Sequence, residues 1–230
     1  VQKNIATIIA MASVVTVTTR HLKEQLDKLN PNIKIIPNAF DNRMLKHEKL
    51  DRQKEKRKLV FWRGSQTHQK DLMSVAQEII GNSHQFKDVT YNFAGYLPWF
   101  LTDSMRINSV VATGAMDIPD YFKFLSEIQP GIGICPLYPD VFNQSKSNIF
   151  FQESSFAGAT SLVPKWAEWE KPGAITYDDH KDFGNKLRAL CSGEIDLVRQ
   201  SNLSWEYVRS ELMLDKVNMK RLDIIKELTS

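Results

Sequence analysis

One feature constrains this chain more than any other: short runs dense in β-branched and aromatic residues alternate with stretches of helical periodicity. The runs are "SVVTVTT", "IKIIPNAF", "KLVFWRG", "VTYNFAG", "SVVATGA", "GIGICPL" and "TSLVPK", with a shorter segment at "AITYD". Between them lie residues 5 to 12, "RHLKEQLDKL", residues 69 to 80, "PDYFKFLSEI" and "SNIFFQESSFA", and helices are expected again from Asp182 onward. Strands separated by helices pair in parallel, because each crossover carries the chain back to the same end of the sheet. The expected fold is α/β, a Rossmann-like doubly wound parallel sheet covered on both faces. A chain of 230 residues, 42% apolar, is long enough to bury such a core.

Pro37-Asn38 and the charged segment from Asp41 to Lys58 interrupt the alternation, since proline biases its predecessor away from helix and clustered charges resist burial. A linker is expected there, with "KLDRQKEKRK" as its solvated face. The net charge is only +3 and much of the basic excess sits in that run, so nucleic acid is not an expected partner. "IATIIAMASVVTVTT" is broken by threonines and too short for a transmembrane segment; it reads as a core helix running into a strand. Cys135 and Cys191 stand far apart without a metal or redox motif, which suits buried thiols in a reducing compartment. The chain opens at Val1 in what reads as the middle of an element, as a segment of a longer protein would.

In an open parallel sheet a ligand binds beyond the carboxyl ends of the strands, where the strand order reverses. After "KLVFW" come Arg63, Gly64, Ser65 and, at the start of a helix, Lys70. Glycine lets backbone approach a ligand, and a helix N-terminus beside a lysine suits a phosphate; the competing explanation is a plain strand-to-helix turn. After "GICPL", Lys146, Ser147 and the amides through Ile149 open another helix, where a pyrophosphate would meet the positive end of the dipole. Ser147 as a simple N-cap is the alternative. On that helix Ile149, Glu153, Phe156 and Ala157 share a face, while Phe150, Phe151 and Ser154 make the other side apolar. A carboxylate on a packed helix needs partners, either a pair of ribose hydroxyls or a cation from a neighbouring element. "YDDH" at 177 to 180 reads as a polar loop rather than a metal site, and Trp166 and Trp169 as cover for a sheet edge. His21, His47, His68 and His84 read as surface positions, with His68 within reach of a phosphate.

Taken in order, "VTVTTRHLKEQL", "IIPNAFD", "FWRGSQTHQKDL", "GICPL" and "FNQSKSNIFFQESSFAGATSLVP" resemble the carboxyl-terminal part of GT-B glycosyltransferases of the retaining, glycogen- and sucrose-synthase-like group, the family 4 type. The resemblance covers nearly the whole chain. It implies that residues 1–37 end an N-terminal, acceptor-side domain, residues 38–205 form the nucleotide-sugar-binding domain, and residues 206–230 are helices crossing back. Gly64 matches the glycine ending the domain's first strand, Lys70 the lysine at the donor diphosphate, and Glu153 the second glutamate of a paired motif, which binds ribose. Ser65 stands where the family has an arginine, with Arg63 on the other side of the glycine, and Ser145 replaces the first glutamate, eight positions before Glu153. The "FNxxKSN" loop resembles a variant of surface-polysaccharide enzymes that implies donor contacts from Asn143, Lys146, Ser147 and Asn148.

The implied activity is transfer of a sugar, of hexosyl type, from a nucleoside-diphosphate sugar with retention, in polysaccharide or glycan synthesis. Lys70 and Lys146 are the implied catalytic residues, neutralising the departing diphosphate without a metal ion or other cofactor. The implied partners are the nucleotide-sugar donor, a glycan, lipid or protein acceptor, and an N-terminal domain absent from the chain, in a cytoplasmic or membrane-peripheral setting. A fragment of this kind would bind donor and turn over poorly. The alternatives are a non-catalytic binding or assembly module of a larger protein, and an epimerase or sugar phosphorylase of the same architecture.

Overall fold

The computed structural model describes residues 2–106 and 109–229; Val1, where the chain opens, lies outside them. The chain begins with helix α1 (Gln2–Met11), strand β1 (Val15–Val17), helix α2 (Arg20–Leu26) and strand β2 (Ile33–Ile35). β1 and β2 pair in parallel as a two-stranded sheet of their own, Val15 opposite Ile33 and Val17 opposite Ile35. Buried Thr19 starts α2: its extended backbone stops the strand, and its hydroxyl accepts the Leu22 amide at 3.1 Å. The same hydroxyl donates to the Ser145 carbonyl at 3.2 Å, which ties this unit to the rest of the chain.

The segment from Asp41 to Lys58 is less solvated than the sequence suggests. A 3-10 turn over Asn42–His47, capped by Asp41, buries Met44. Arg52 lies 4.5 Å over the Trp205 ring, donates to the carbonyls of Ser155 and Phe156 at 3.0 Å, and pairs with Glu48 at 2.7 Å. The flat, weakly hydrated guanidinium packs where an ammonium would resist burial.

The main body then runs β3 (Arg57–Arg63), a 3-10 turn (Gln66–His68), α3 (Gln69–Met73), α4 (Ala76–Gln85), β4 (Thr90–Ala94), α5 (Trp99–Thr102), β5 (Val110–Thr113), α6 (Ile118–Ile128) and β6 (Pro130–Ile134). It continues with α7 (Val141–Gln144), α8 (Ile149–Phe156), β7 (Thr160–Pro164), β8 (Ile175–Tyr177), α9 (His180–Ser192), α10 (Leu197–Glu211) and α11 (Leu214–Thr229). The stretch expected as one helix over 69–80 is two, broken where the Ser74 hydroxyl donates back to the Asp71 carbonyl at 2.7 Å. The short α5 and α7 fall in what reads as loop. "YDDH" serves as a helix start: Asp179 caps α9 by accepting the Asp182 amide at 2.9 Å.

Six strands form one sheet in the order β5-β4-β3-β6-β7-β8, all parallel. Successive residues of a strand face opposite sides, so β3 feeds two cores. Val60 and Trp62 join Leu72, Ile79, Tyr91, Phe93, Phe183 and Leu187 under α3, α4 and α9. Phe61 joins Phe122, Leu125, Phe150, Phe151, Phe156 and Trp205 under α6, α8 and α10. β6 and β7 are buried along their whole length, as central strands covered on both faces must be. The start of α11 brackets Phe40, with Phe40 N to Leu212 O at 2.7 Å and Leu214 N to Phe40 O at 2.9 Å. Its far end reaches β2 through Lys34 and Glu227 at 3.7 Å.

Candidate functional site

The strand order reverses between β3 and β6, so a crevice opens where their carboxyl ends part. Two glycines shape its rim. A Cβ on Gly64 would lie 2.6 Å from the Trp62 ring and 3.1 Å from Cδ2 of His68. Gly95, at the end of β4, holds φ +91°, and a Cβ there would sit 2.5 Å from the Gly64 carbonyl. The chain can therefore turn tightly at both strand ends and leave the crevice open.

Arg63 is the last residue of β3 and lies on the same side as Phe61, which aims it at α6 and α8. There it meets Glu153: Nε donates to Oε2 at 2.7 Å and Nη2 to Oε1 at 2.9 Å. Tyr121 of α6 adds a third bond to Oε2 at 3.1 Å. Glu153 is thus held by a forked cation from a neighbouring element, one of the two partnerships its sequence context left open. Burial works against the Arg63 charge, but Glu153's charge and hydrogen bonds outweigh it and hold the guanidinium more firmly protonated than usual. Burial, and then Glu153, push the Tyr121 phenol well above its ordinary range, so it stays a donor. The packed face expected around Glu153 is partly open, because Ile149 is 39% exposed.

A second cluster is centred on Asp71, which the sequence did not single out. It is 3% exposed and both oxygens of its carboxylate are engaged. Oδ2 is 2.8 Å from Nδ1 of His68, while Oδ1 accepts the Tyr138 amide at 2.8 Å and Nδ2 of Asn143 at 2.7 Å. Lys146 Nζ lies 3.9 Å from Oδ2. Burial alone would raise the Asp71 pKa, but the His68 bond, the Tyr138 amide and the Lys146 charge hold it below the usual carboxylate value. Burial is the main influence on Lys146 and lowers its pKa despite Asp71. One buried carboxylate on α3 therefore fixes the loop after β6 and orients both a histidine and a lysine.

Two cavities meet along Arg63, His68 and Ile149. One, of about 220 Å³, is lined also by Cys135, Lys146, Ser147 and Trp169. The other, of about 630 Å³, is lined also by Gly64, Gly95, Gly114, Met116, Tyr121 and Glu153. The first is cationic and carries the Ser147 hydroxyl, which accepts from Asn38 Nδ2 at 2.6 Å and keeps its own hydrogen to donate. The second has an apolar wall with a carboxylate at its edge. Their junction suits a ligand with an anionic middle and a flat, hydroxyl-bearing end.

Of the residues singled out in the sequence, Arg63, Gly64, Ser65 and Glu153 line the larger cavity and Lys146 and Ser147 the smaller. Lys70 lines neither; its ammonium sits 3.4 Å over the Tyr138 ring. Asn143 and Asn148 are buried supports rather than cavity walls, 4% and 1% exposed. Asn143 braces Asp71 and the Tyr138 carbonyl, and Asn148 holds Gln152 and the Glu168 carbonyl. Helix α8 starts at Ile149, two residues later than expected, and the Asn148 amide meets Glu168 Oε1 at 3.4 Å, so part of that helix end already faces a carboxylate. Ser147 is not its cap. His68 is half-buried rather than on the surface, and Nε2 of both His21 and His47 is buried without a hydrogen-bond partner among the described residues. Trp169 is a core residue at 2% exposure, not an edge cover. Tyr121, Asp71 and Asn38 carry no motif; their roles arise from elements brought together in space.

A six-stranded parallel sheet with its cavities at the β3/β6 reversal is a Rossmann-like fold. No protein-family model and no curated protein matches the sequence. The fold is similar to that of a glycosyltransferase from Rickettsia africae ESF-5, with TM-score 0.76 and 12% identity over 100% of this chain and 67% of that one. It is similar also to the Anabaena protein HepE solved with UDP-glucose, with TM-score 0.71 and 12% identity over 94% of this chain and 64% of that one. A third is the pneumococcal O-GlcNAc transferase GtfA solved with UDP and GlcNAc, with TM-score 0.69 and 11% identity over 93% and 45%. The chain thus spans between about half and two thirds of these proteins. No described helix is long and apolar enough to cross a membrane.

Proposed function

We propose that the chain is the donor-binding portion of a glycosyltransferase of the retaining GT-B kind, which takes a hexosyl group from a nucleoside-diphosphate sugar for polysaccharide or glycan synthesis. The observation that carries this reading is the junction of the two cavities at the β3/β6 crevice, cationic on one side and carboxylate-edged on the other. The diphosphate is assigned to Lys146, Ser147 and Arg63, and the nucleoside to the larger cavity, with Glu153 accepting from ribose. A carboxylate offers about four acceptor positions and Glu153 uses three, so a ribose hydroxyl can add to the set or displace Tyr121. Lys146 and Arg63 offset the charge that grows on the leaving diphosphate, which is electrostatic catalysis needing no proton transfer.

Lys70 joins them only if its ammonium leaves the Tyr138 face. The acceptor, a glycan, lipid or protein, is assigned to a partner domain that such enzymes place across the cleft. Two free cysteines, one buried and one half-buried, fit a cytoplasmic setting.

The test is calorimetric titration of the chain with UDP and GDP. Binding by at least one is expected, with a loss of about tenfold in Lys146→Met, the order of one hydrogen bond to a charged group. Failure of a folded sample to bind either would overturn the reading. Transfer to glycan acceptors by a two-domain form separates an enzyme from a non-catalytic module.

A further inference from the structure

We propose that His68, held by Asp71, donates its Nε2–H to the diphosphate of the bound nucleotide; this rests on the nucleotide-sugar reading above. Four observations carry it. His68 lines both cavities and so stands where an anionic middle must pass from Lys146 and Ser147 toward Glu153. Its Nδ1 is 2.8 Å from Asp71 Oδ2, and an ionised carboxylate only accepts, so Nδ1 bears a hydrogen and Nε2 is left for the ligand. The ring is braced by Trp62, edge-on at 6.2 Å between centroids and 82°. The missing side chain at Gly64 clears the ring edge beside Nε2, since a Cβ there would press on Cδ2 at 3.1 Å.

Asp71 is the positioning residue of this arrangement. Its second oxygen holds the Tyr138 amide and Asn143, so one carboxylate sets the histidine and the loop bearing Lys146 in the same register. A phosphate oxygen at Nε2 calls for a hydrogen there as well, and solvent supplies that proton when the nucleotide binds. The charged groups around the ring and the two cavities are Arg63, Asp71, Lys146 and Glu153; two cations and a carboxylate-backed imidazole then face the diphosphate together.

The experiment is titration of wild type and His68→Gln with UDP and with uridine, or GDP and guanosine if those bind tighter. His68→Gln should weaken the diphosphate about tenfold or more and leave the nucleoside unchanged, the scale of one charge-assisted hydrogen bond. Nitrogen-15 spectra of wild type should show Nδ1 carrying hydrogen in the free protein, and Nε2 gaining one on addition of UDP but not of uridine. Asp71→Asn, if folded by circular dichroism, should lose that Nε2 response; if it unfolds, His68→Gln decides alone. Diphosphate affinity within twofold of wild type in His68→Gln, or an Nε2 resonance indifferent to UDP, would overturn the inference while leaving nucleotide binding intact. Absence of diphosphate binding by wild type overturns the nucleotide reading, and this inference with it.

Discussion

Replacing Arg63 by methionine keeps most of the side chain's apolar stem and removes both hydrogen bonds to Glu153. Two unit charges about 4 Å apart attract by about 4 kcal/mol at an effective dielectric of 20. Much of this is offset by taking Glu153, 12% exposed at the side chain, away from water, and by ordering the arginine, which has about 2 kcal/mol of rotamer entropy to lose. Arg63 is 35% exposed, so solvent also screens the pair. The net value lies between an exposed pair and a buried one, about 1–2 kcal/mol. A double-mutant cycle of Arg63→Met and Glu153→Gln, read by urea unfolding with unchanged m-value, should return a coupling energy of that size. The double variant should then be less destabilised than the sum of the single ones. A coupling below about 0.3 kcal/mol would refute the reasoning, because it would mean that the forked geometry contributes nothing beyond two independent side chains.

Asp71 makes stability sensitive to acid. Its folded pKa lies below the unfolded value of about 4, so its contribution is complete above that pH and is lost as the pH falls through the folded value. The urea midpoint of wild type should drop between pH 5 and pH 2.5 by more than that of Asp71→Asn. Gly95→Ala forces a side chain into φ +91° and against the Gly64 carbonyl, and should cost about 1–3 kcal/mol by thermal unfolding, whereas Gly114→Ala, with open space around its Cβ, should cost less than about 1 kcal/mol. Phe151→Ala empties a site of 0% exposure and should cost about 3–5 kcal/mol by the same assay. Cys191, 1% exposed and with its thiol pushed up to about 12 chiefly by burial, should react with thiol reagents only on unfolding; rapid labelling of folded protein would contradict its place in the core.

The strands and helices were legible because each is written in local periodicity. "KLVFWRG" is a short continuous apolar run between charges, as a strand covered on both faces reads, "PDYFKFLSEI" repeats at helical spacing, and both form where expected. Where side chains compete with the backbone, local reading failed. Ser74 breaks the expected helix after Met73, and Asn148 and Glu168 delay the start of α8. Arg52 shows the same limit in the charged segment, since a run of charges does not reveal which member will find an aromatic face and two free carbonyls.

The sequence by itself determined the parallel α/β architecture and pointed to the loops and to Arg63, Gly64, Lys146, Ser147 and Glu153, which line the crevice. Only the tertiary structure decided who meets whom: Arg63 with Glu153 across 90 residues, and Asp71 with His68, Asn143 and Lys146. The physical reason is that periodicity is a property of one segment, whereas these contacts depend on strand order. β3 and β6 are neighbours in the sheet although β4 and β5 lie between them in the chain, and that crossover brings a glycine turn, a lysine loop and a helical carboxylate to one crevice.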